Sequence, residues 1–348
     1  MTDNIKIILW NCRGAVGKDF YRYSKYYVDI CKPEIFVLME TRCDPTKLYK
    51  PMKKLGFSQF FSVENEGYAG GIVVACRDET LKVTWCAQKE QWIHLNIQNA
   101  NGVDWRFTLV YASPNDQRRV RMWEELSHIA NTEKFPWIVA GDFNDIANAM
   151  EKKGGSQASS RKCSLFRDNM DKCKLNDLGS SGPKFTWRGG IYHGGQRIYE
   201  RLDRAISNEE WKLLFPDSYT KVLTRVSFSD HRPIMIALSN ISSVRAERNF
   251  RFKSAWLEDH NYANRVKGCW RNGEDIFNNL KRLESDAKEW NMCNIKQVQR
   301  IKRRLLARLH GIQVSMQSNN NARGLSRMES KLQQELNVIL KQEELMWF

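Results

Sequence analysis

Paired zinc-type cysteines are missing from this 348-residue chain. Its 9 cysteines, an odd number, are scattered with no C-x-x-C pair. That removes zinc spacing and makes a disulfide framework a poor reading. No apolar run approaches the roughly 18 residues that a transmembrane helix needs. The opening stretch, MTDNIKIILWNCRG, has no charged-then-apolar leader pattern. The chain therefore reads as soluble, reduced and intracellular, nuclear or cytoplasmic, with no membrane partner. The G-x-G-x-x-G fingerprint is absent, as is the regular βαβ spacing of a doubly wound nucleotide fold. No internal repeat is present. Histidine is scarce, with 6 in all, so Asp230–His231 in RVSFSDHRPIMIALS, at the mouth of an apolar run, stands out.

What the chain has is apolar bulk and positive charge. Hydrophobic residues make up 42%, with 12 Trp and 16 Phe, ample for a core. The net charge of +15 favours a polyanionic partner, nucleic acid or an anionic membrane surface. Strand-like runs fall at 5–10, 34–40, 70–76, 91–98, 106–112, 137–143, 201–207 and 233–239. Helical stretches fall at 18–31, 116–130, 161–173 and 208–214. Short strands interleaved irregularly with helices fit two packed sheets with helices outside. Past SNISSVRAERNF the character changes to helical apolar spacing on charged faces, with a turn at SNNNARG. Residues 1–240 hold 35 basic and 28 acidic side chains, leaving 20 and 12 in the last 108 residues. The expected organisation is a catalytic domain over 1–243 and a basic all-helical extension over 244–348.

Polar residues stand at or near the ends of the apolar runs, Asn11, Glu40, Tyr111, Asp142, Asn144, Asp230 and His231, while Asp203 sits inside RLDRAI. Each has a plain structural reading. GDFND is ordinary strand-to-turn composition, and the Asp of SDHRP can cap a loop. Strand ends of a packed sandwich meet at its rims, however, so the set can converge on one site.

In order, WNCRG, METR, VYASPN, GDFND, RLDRAI and SDHRP resemble the exonuclease–endonuclease–phosphatase superfamily, the deoxyribonuclease-I-like fold. The resemblance spans residues 5–239. GDFNDI…EKKGG, FTWRGG…ERLDRAISN and FRFKSAWLEDH are further similar to the endonuclease region of plant LINE-type (non-LTR) retrotransposon polyproteins. In those, the helical tail leads to a reverse transcriptase. No polymerase Asp–Asp motif follows here, so a fragment or shortened product of such an element is expected, with reverse transcriptase or element RNA as partners of a longer relative.

The resemblance implies a four-layer α/β sandwich and hydrolysis of a phosphodiester with Mg²⁺, for which Mn²⁺ would substitute. It makes Glu40 the main metal ligand, with Asn11 and Asp230 near the ion or its waters. Mg²⁺ takes oxygen ligands and keeps waters, so one or two carboxylates suffice. Asp142 would orient or deprotonate the attacking water beside Asn144. His231 would contact the scissile phosphate, Asp203 would hold its other ring nitrogen, and Tyr111 would donate to a phosphate oxygen. The stretch 187–199, between Thr186 and Glu200, corresponds to a β-hairpin that enters the DNA minor groove. Arg188, Tyr192 and Arg197 lie within it, with Lys152 a candidate backbone contact. Asn115 is a further phosphate contact by position, although Tyr111 and Asn115 enclose one residue more than the family spacing. The fold alone does not choose the substrate. A phosphatase or phosphodiesterase acting on inositol phosphates, lipids or nucleotides, and a silent nucleic-acid-binding remnant, are the alternatives to a DNA-nicking endonuclease.

Overall fold

Runs such as IKIILW and WIVAGD are apolar on both faces, and strands of that kind need cover on both sides. The computed structural model describes residues 5–66, 69–77, 81–132, 134–192, 196–239, 262–318 and 322–345. It places these runs at the centre of two six-stranded sheets. The first sheet runs β14 (Tyr219–Val222), β15 (Ile234–Ala237), β1 (Lys6–Asn11), β2 (Ile35–Met39), β4 (Ala69–Cys76), β3 (Gln59–Glu66). The second runs β10 (Asn176–Asp177), β13 (Asp203–Ser207), β8 (Trp137–Asp142), β7 (Asp104–Tyr111), β6 (Trp92–Asn99), β5 (Leu81–Lys89). A small third sheet joins β11 (Trp187–Ile191), β12 (Arg197–Glu200) and β9 (Lys152–Lys153).

The pleat divides each central strand between two cores. Ile7 and Leu9 of β1 face Ile138 and Ala140 of β8 in the core between the sheets. The alternate residue Trp10 packs outward against Phe20 and Tyr27 of helix α1 (Lys18–Cys31). Val139 turns the other way, into a second core shared with Trp123 of α3 (Asp116–Thr132) and Phe166 of α4 (Ser160–Lys172). Helix, sheet, sheet, helix is the four-layer sandwich expected.

Some elements escaped the sequence reading. Helix α2 (Thr46–Lys54) contains Pro51 and buries only Leu48 and Met52, so its apolar stripe is thin and its proline argues against a helix. Strands β3 and β5 are sheet edges, and β5 turns inward mainly through Leu81 and Val83. Short α5 (Glu209–Leu214) lies where the helical stretch at 208–214 was expected.

By contacts the chain divides into two units, Met1–Ser242 with Gln313–Ala322, and Ser243–Ile312 with Arg323–Phe348. The second unit is helical, built from α6 (Tyr262–Cys269), α7 (Ile276–Ser318) up to Ile312, and α8 (Ala322–Leu345) from Arg323. Leu305 and Leu309 on α7, and Leu332, Leu336 and Leu340 on α8, are buried at four-residue spacing. Lys302 Nζ meets Glu343 Oε2 at 2.5 Å between the two helices. The boundary expected near 243, the FRFKSAWLEDH stretch, residues 319–321 of the expected turn, and the hairpin tip 193–195 lie outside the described residues. No helix among the described residues is long and apolar enough to cross a membrane.

One glycine sets the geometry of the site. Strands β7 and β8 run parallel with Val110 opposite Gly141. Gly141 has φ 149°, and a Cβ there would stand 1.8 Å from the Val110 carbonyl oxygen. Turn composition is therefore not why Gly precedes Asp142; close backbone approach is. Gly141→Ala is expected to destabilise the fold by about 1–3 kcal/mol, toward the upper end because the obstacle is backbone. Urea unfolding of parent and variant measures it; equal midpoints would refute the close-approach argument.

Candidate active site

The strand directions gather the polar residues at one rim. Strands β1 and β2 are parallel, as are β7 and β8, so Asn11, Glu40, Tyr111 and Asp142 all stand at or just past C-terminal strand ends. The neighbouring β13 and β15 are antiparallel, so Asp203 opens one and Asp230–His231 precedes the other at that same rim. Asp203 and Asp142 are register partners.

Two hydrogen bonds tie the sheets together there. Asn11 Nδ2 donates to Asp142 Oδ2 at 2.9 Å. His231 Nδ1 and Asp203 Oδ2 lie 2.9 Å apart, and His231 Nε2 is 3.8 Å from Asp142 Oδ2. All four side chains are 5% exposed or less. The imidazole thus sits between two carboxylates. Burial works against its cation, but the charges of Asp203 and Asp142 outweigh burial and hold its pKa up at about 9. Burial pushes Asp142 up to about 6, and the imidazolium and the Asn11 and Asn144 hydrogen bonds oppose that rise. Near neutral pH the arrangement is an ionised carboxylate with modest basicity beside an imidazolium. Burial, then the Glu40 and Asp142 charges, push the Tyr111 phenol up, so it remains an O–H donor.

The loops carry backbone strain. Arg13, Glu40, Arg42 and Asn144 all have φ between 48° and 54°. A left-handed non-glycine residue costs on the order of 1 kcal/mol or more and collects at functional sites. Glu40 is held in its turn because its carbonyl accepts from Gly14 N at 2.8 Å and that of Thr41 from Ala15 N at 2.8 Å.

Glu40 and Asp230 form the second acidic group. Arg13 Nη1 contacts Asp230 Oδ2 at 2.5 Å and its Nε lies 3.8 Å from Glu40 Oε1, while Arg42 also pairs with Glu40. Trp187 Nε1 donates to Asp230 Oδ2 at 2.9 Å. The other oxygen, Asp230 Oδ1, is buried with no hydrogen-bond partner. An orphaned buried carboxylate oxygen near a second carboxylate fits a hard divalent cation. Asp142, Asp203 and His231 also lie within 4.8 Å of one another. Their atoms are already engaged in mutual hydrogen bonds and an ion pair, which suits proton handling better than ligation.

The remaining expected residues fall into different places. Asn144 donates Nδ2 to Ala112 O at 2.7 Å, and its backbone N donates to Asp142 Oδ1 at 3.0 Å, so it orients the carboxylate. Thr186 is 1% exposed, and its Oγ1 accepts from Leu202 N and Asp203 N, both at 3.0 Å. It fixes Asp203 and has no surface to offer DNA. Asn115 Oδ1 caps α3 by accepting from Gln117 N at 2.9 Å. Lys152 and Glu200 pair at 2.7 Å across β9 and β12. Arg197 donates to Gly189 O at 2.8 Å inside the hairpin, and Arg188 N donates to Asp230 O at 3.0 Å. Tyr192 is 45% exposed near the tip. A cleft of ≈ 320 Å³ opens beside Asn144, with Lys152, Lys162 and Arg119 among its lining residues.

Sequence reading passed over Arg13, Arg42 and Ser229, and placed Trp187 in the hairpin without a role at the site. Ser229 Oγ donates to Asn11 O at 2.7 Å and accepts from His231 N at 3.0 Å. All four stand inside or beside quoted motifs, so motif membership was the available signal.

The imidazolium makes a testable demand on stability. A His with a raised folded pKa contributes stability that is full below its ordinary 6.5 and lost as pH rises through about 9. In EDTA, the melting temperature of the parent relative to His231→Gln is expected to fall between about pH 6.5 and about pH 9.5. A gap that stays constant over that window would refute the imidazolium.

Comparison with known proteins agrees with this fold. The Endonuclease/Exonuclease/phosphatase family pattern matches residues 8–231. The solved endonuclease domain of TRAS1, a telomere-specific non-LTR retrotransposon, aligns with a TM-score of 0.52 at 16% identity, covering 69% of this chain and 100% of that one. AP endonuclease LMAP from Leishmania major aligns with a TM-score of 0.53 at 14% identity, covering 68% and 88%. A 149 kDa protein of transposon TX1 from Xenopus laevis is 24% identical over 185 residues, 51% of this chain and 14% of that protein. The chain thus spans about a seventh of that relative's length. Since the family pattern covers residues 8–231, from β1 to His231, and takes in all the polar residues gathered at the rim, the chain belongs to the endonuclease/exonuclease/phosphatase family.

Proposed function

We propose that this chain is a Mg²⁺-dependent endonuclease that hydrolyses a DNA phosphodiester, nicking one strand. The observation that carries the reading is the buried line Asn11–Asp142–His231–Asp203 across both sheets, with the orphaned Asp230 Oδ1 beside it. Glu40 and Asp230 would hold the metal with Asn11 nearby, and the bound cation would supply Lewis-acid stabilisation of charge on the phosphate. Asp142, ionised near neutral pH but of raised basicity, takes the proton of the attacking water. His231, as imidazolium, directs Nε2–H at a phosphate oxygen, and Asp203 keeps the ring charged and oriented. Tyr111 adds a neutral O–H donor. The chain's net charge of +15 suits a polyanion. The two solved neighbours are named as endonucleases.

Supercoiled plasmid with Mg²⁺ tests the reading. Relaxed circles are expected, none in EDTA, with Mn²⁺ restoring the activity. Asp142→Ala, Asp203→Ala and His231→Ala are each expected to slow nicking by about 10²–10⁴-fold while DNA binding stays near the parent's. Release of inorganic phosphate from small phosphate esters in place of nicks would move the chain to the phosphatases. Binding without cleavage in either metal would make it a silent remnant.

Site choice is expected to come from the hairpin, because groups acting on a phosphate carry little sequence information. Tyr192 stands exposed near its tip and suits a wedge at a base step. Tyr192→Ala should alter the map of nick positions on a long duplex more than the total nicking rate. Superimposable maps would assign selectivity elsewhere.

A further inference from the structure

We infer that the C-terminal end of helix α7 is a positioning element of the catalytic unit: Gln313 and Gln317 clamp the two backbone segments that carry His231 and fix Asp203. Both glutamines lie in the segment grouped with the sandwich, more than 70 residues past its last strand. They are four residues apart, hence on one face of the helix. Gln313 is 2% exposed. Its Oε1 accepts from Arg232 Nη1 at 2.6 Å and from Arg225 N at 3.2 Å, and its Nε2 donates to Arg225 O at 2.9 Å. One amide thus holds both ends of the loop 225–232.

That loop is the one that presents the imidazole. Arg225 Nη1 donates to Ser229 O at 3.1 Å. Ser229 Oγ in turn joins Asn11 O to His231 N. From Gln313 to His231 the path is therefore a short, continuous set of buried hydrogen bonds.

Gln317 acts on the opposite partner. Its Nε2 donates to Phe185 O at 3.3 Å, and its own carbonyl accepts from Lys153 Nζ at 2.6 Å. The next residue, Thr186, is the one whose hydroxyl fixes Asp203 N. Arg232 N closes the frame by donating to Thr186 O at 2.7 Å. The helix end thus steadies the Asp203–His231 bond from both sides. A buried amide is well suited to this task, because it offers a donor and an acceptor at once.

The catalytic meaning of the clamp rests on the endonuclease reading, so the test includes a readout that does not. Full-length parent, Gln313→Met and Gln313→Glu are compared by hydrogen–deuterium exchange and by steady-state plasmid nicking. Met keeps the length and removes the amide; Glu keeps the acceptor for Arg232 and Arg225 N. In Gln313→Met, exchange is expected to rise over 223–232 and stay unchanged over β6. Its kcat is expected to fall about tenfold with KM within about twofold. Gln313→Glu should return kcat to within about threefold of the parent. Parent-like kcat in Gln313→Met would overturn the proposal, as would an equal loss in both variants, which would mean that the acceptor does not matter. If Gln313→Met loosens β6 as well, Gln317→Met, which removes a single side-chain bond, is read by the same exchange and kcat criteria. A parent that nicks nothing would end the endonuclease reading, while exchange over 223–232 would still decide whether the clamp exists.

Discussion

The hydrogen bond between Asp203 and His231 is the interaction on which the site depends. It joins the start of a strand in one sheet to the approach of a strand in the other, so it exists only when the two sheets are packed in one register. Both partners are buried, where an unpaired charge would be severely penalised. Together with Asp142 they keep a cation between two anions. This is also what makes it chemically useful. Burial raises the basicity of Asp142, while the charges of Asp203 and Asp142 outweigh burial and keep the imidazole protonated.

Much of the surrounding structure serves to hold that bond and its neighbours still. Behind Asp142, Arg204 and Arg201 pair with Glu151 and Asp177. Burial alone would raise Glu151, but Arg204 and Arg201 outweigh it and hold its carboxyl below the usual carboxylate range. Glu151 Oε2 also accepts from Ala147 N at 2.7 Å, so this ion network fixes the loop that follows β8. A buried ionic cluster is weak evidence for net stability, but its geometry is demanding and it restrains the groups attached to it. The left-handed residues Glu40 and Asn144 are the other half of the same bargain: the strain is local, and the sheets that flank it are well packed.

The third sheet reaches the candidate site directly. Trp187 begins β11, hydrogen-bonds Asp230, and bridges to His231 across an isolated β-pair. The hairpin that carries Tyr192 is therefore rooted in the site rather than merely adjacent to it. Its first strand is tied to Asp230 twice, through the Trp187 indole and through the Arg188 backbone.

The amino-acid sequence by itself determined the strands at the centre of both sheets, because doubly covered strands must be apolar throughout, as in IKIILW and WIVAGD. It also placed Asn11, Glu40, Asp142 and His231 at strand ends, since a polar residue that closes an apolar run marks where the strand leaves the core; Asp203, expected inside a strand over 201–207, instead opens β13. Edge strands such as β5 and the proline-containing α2 were not legible, because half-exposed elements carry a weak periodic signal. The pairing of Asp203 with His231 was already expected from the motif resemblance; only the tertiary structure decided that Trp187 and Arg13 meet Asp230 and that Thr186 is internal. It alone brought Gln313 to the loop 225–232 across 88 positions of chain. Local propensity and periodicity act over a few residues; partners that distant are chosen by sheet register and by the need of buried polar groups for one another, and neither is written in any short stretch of sequence.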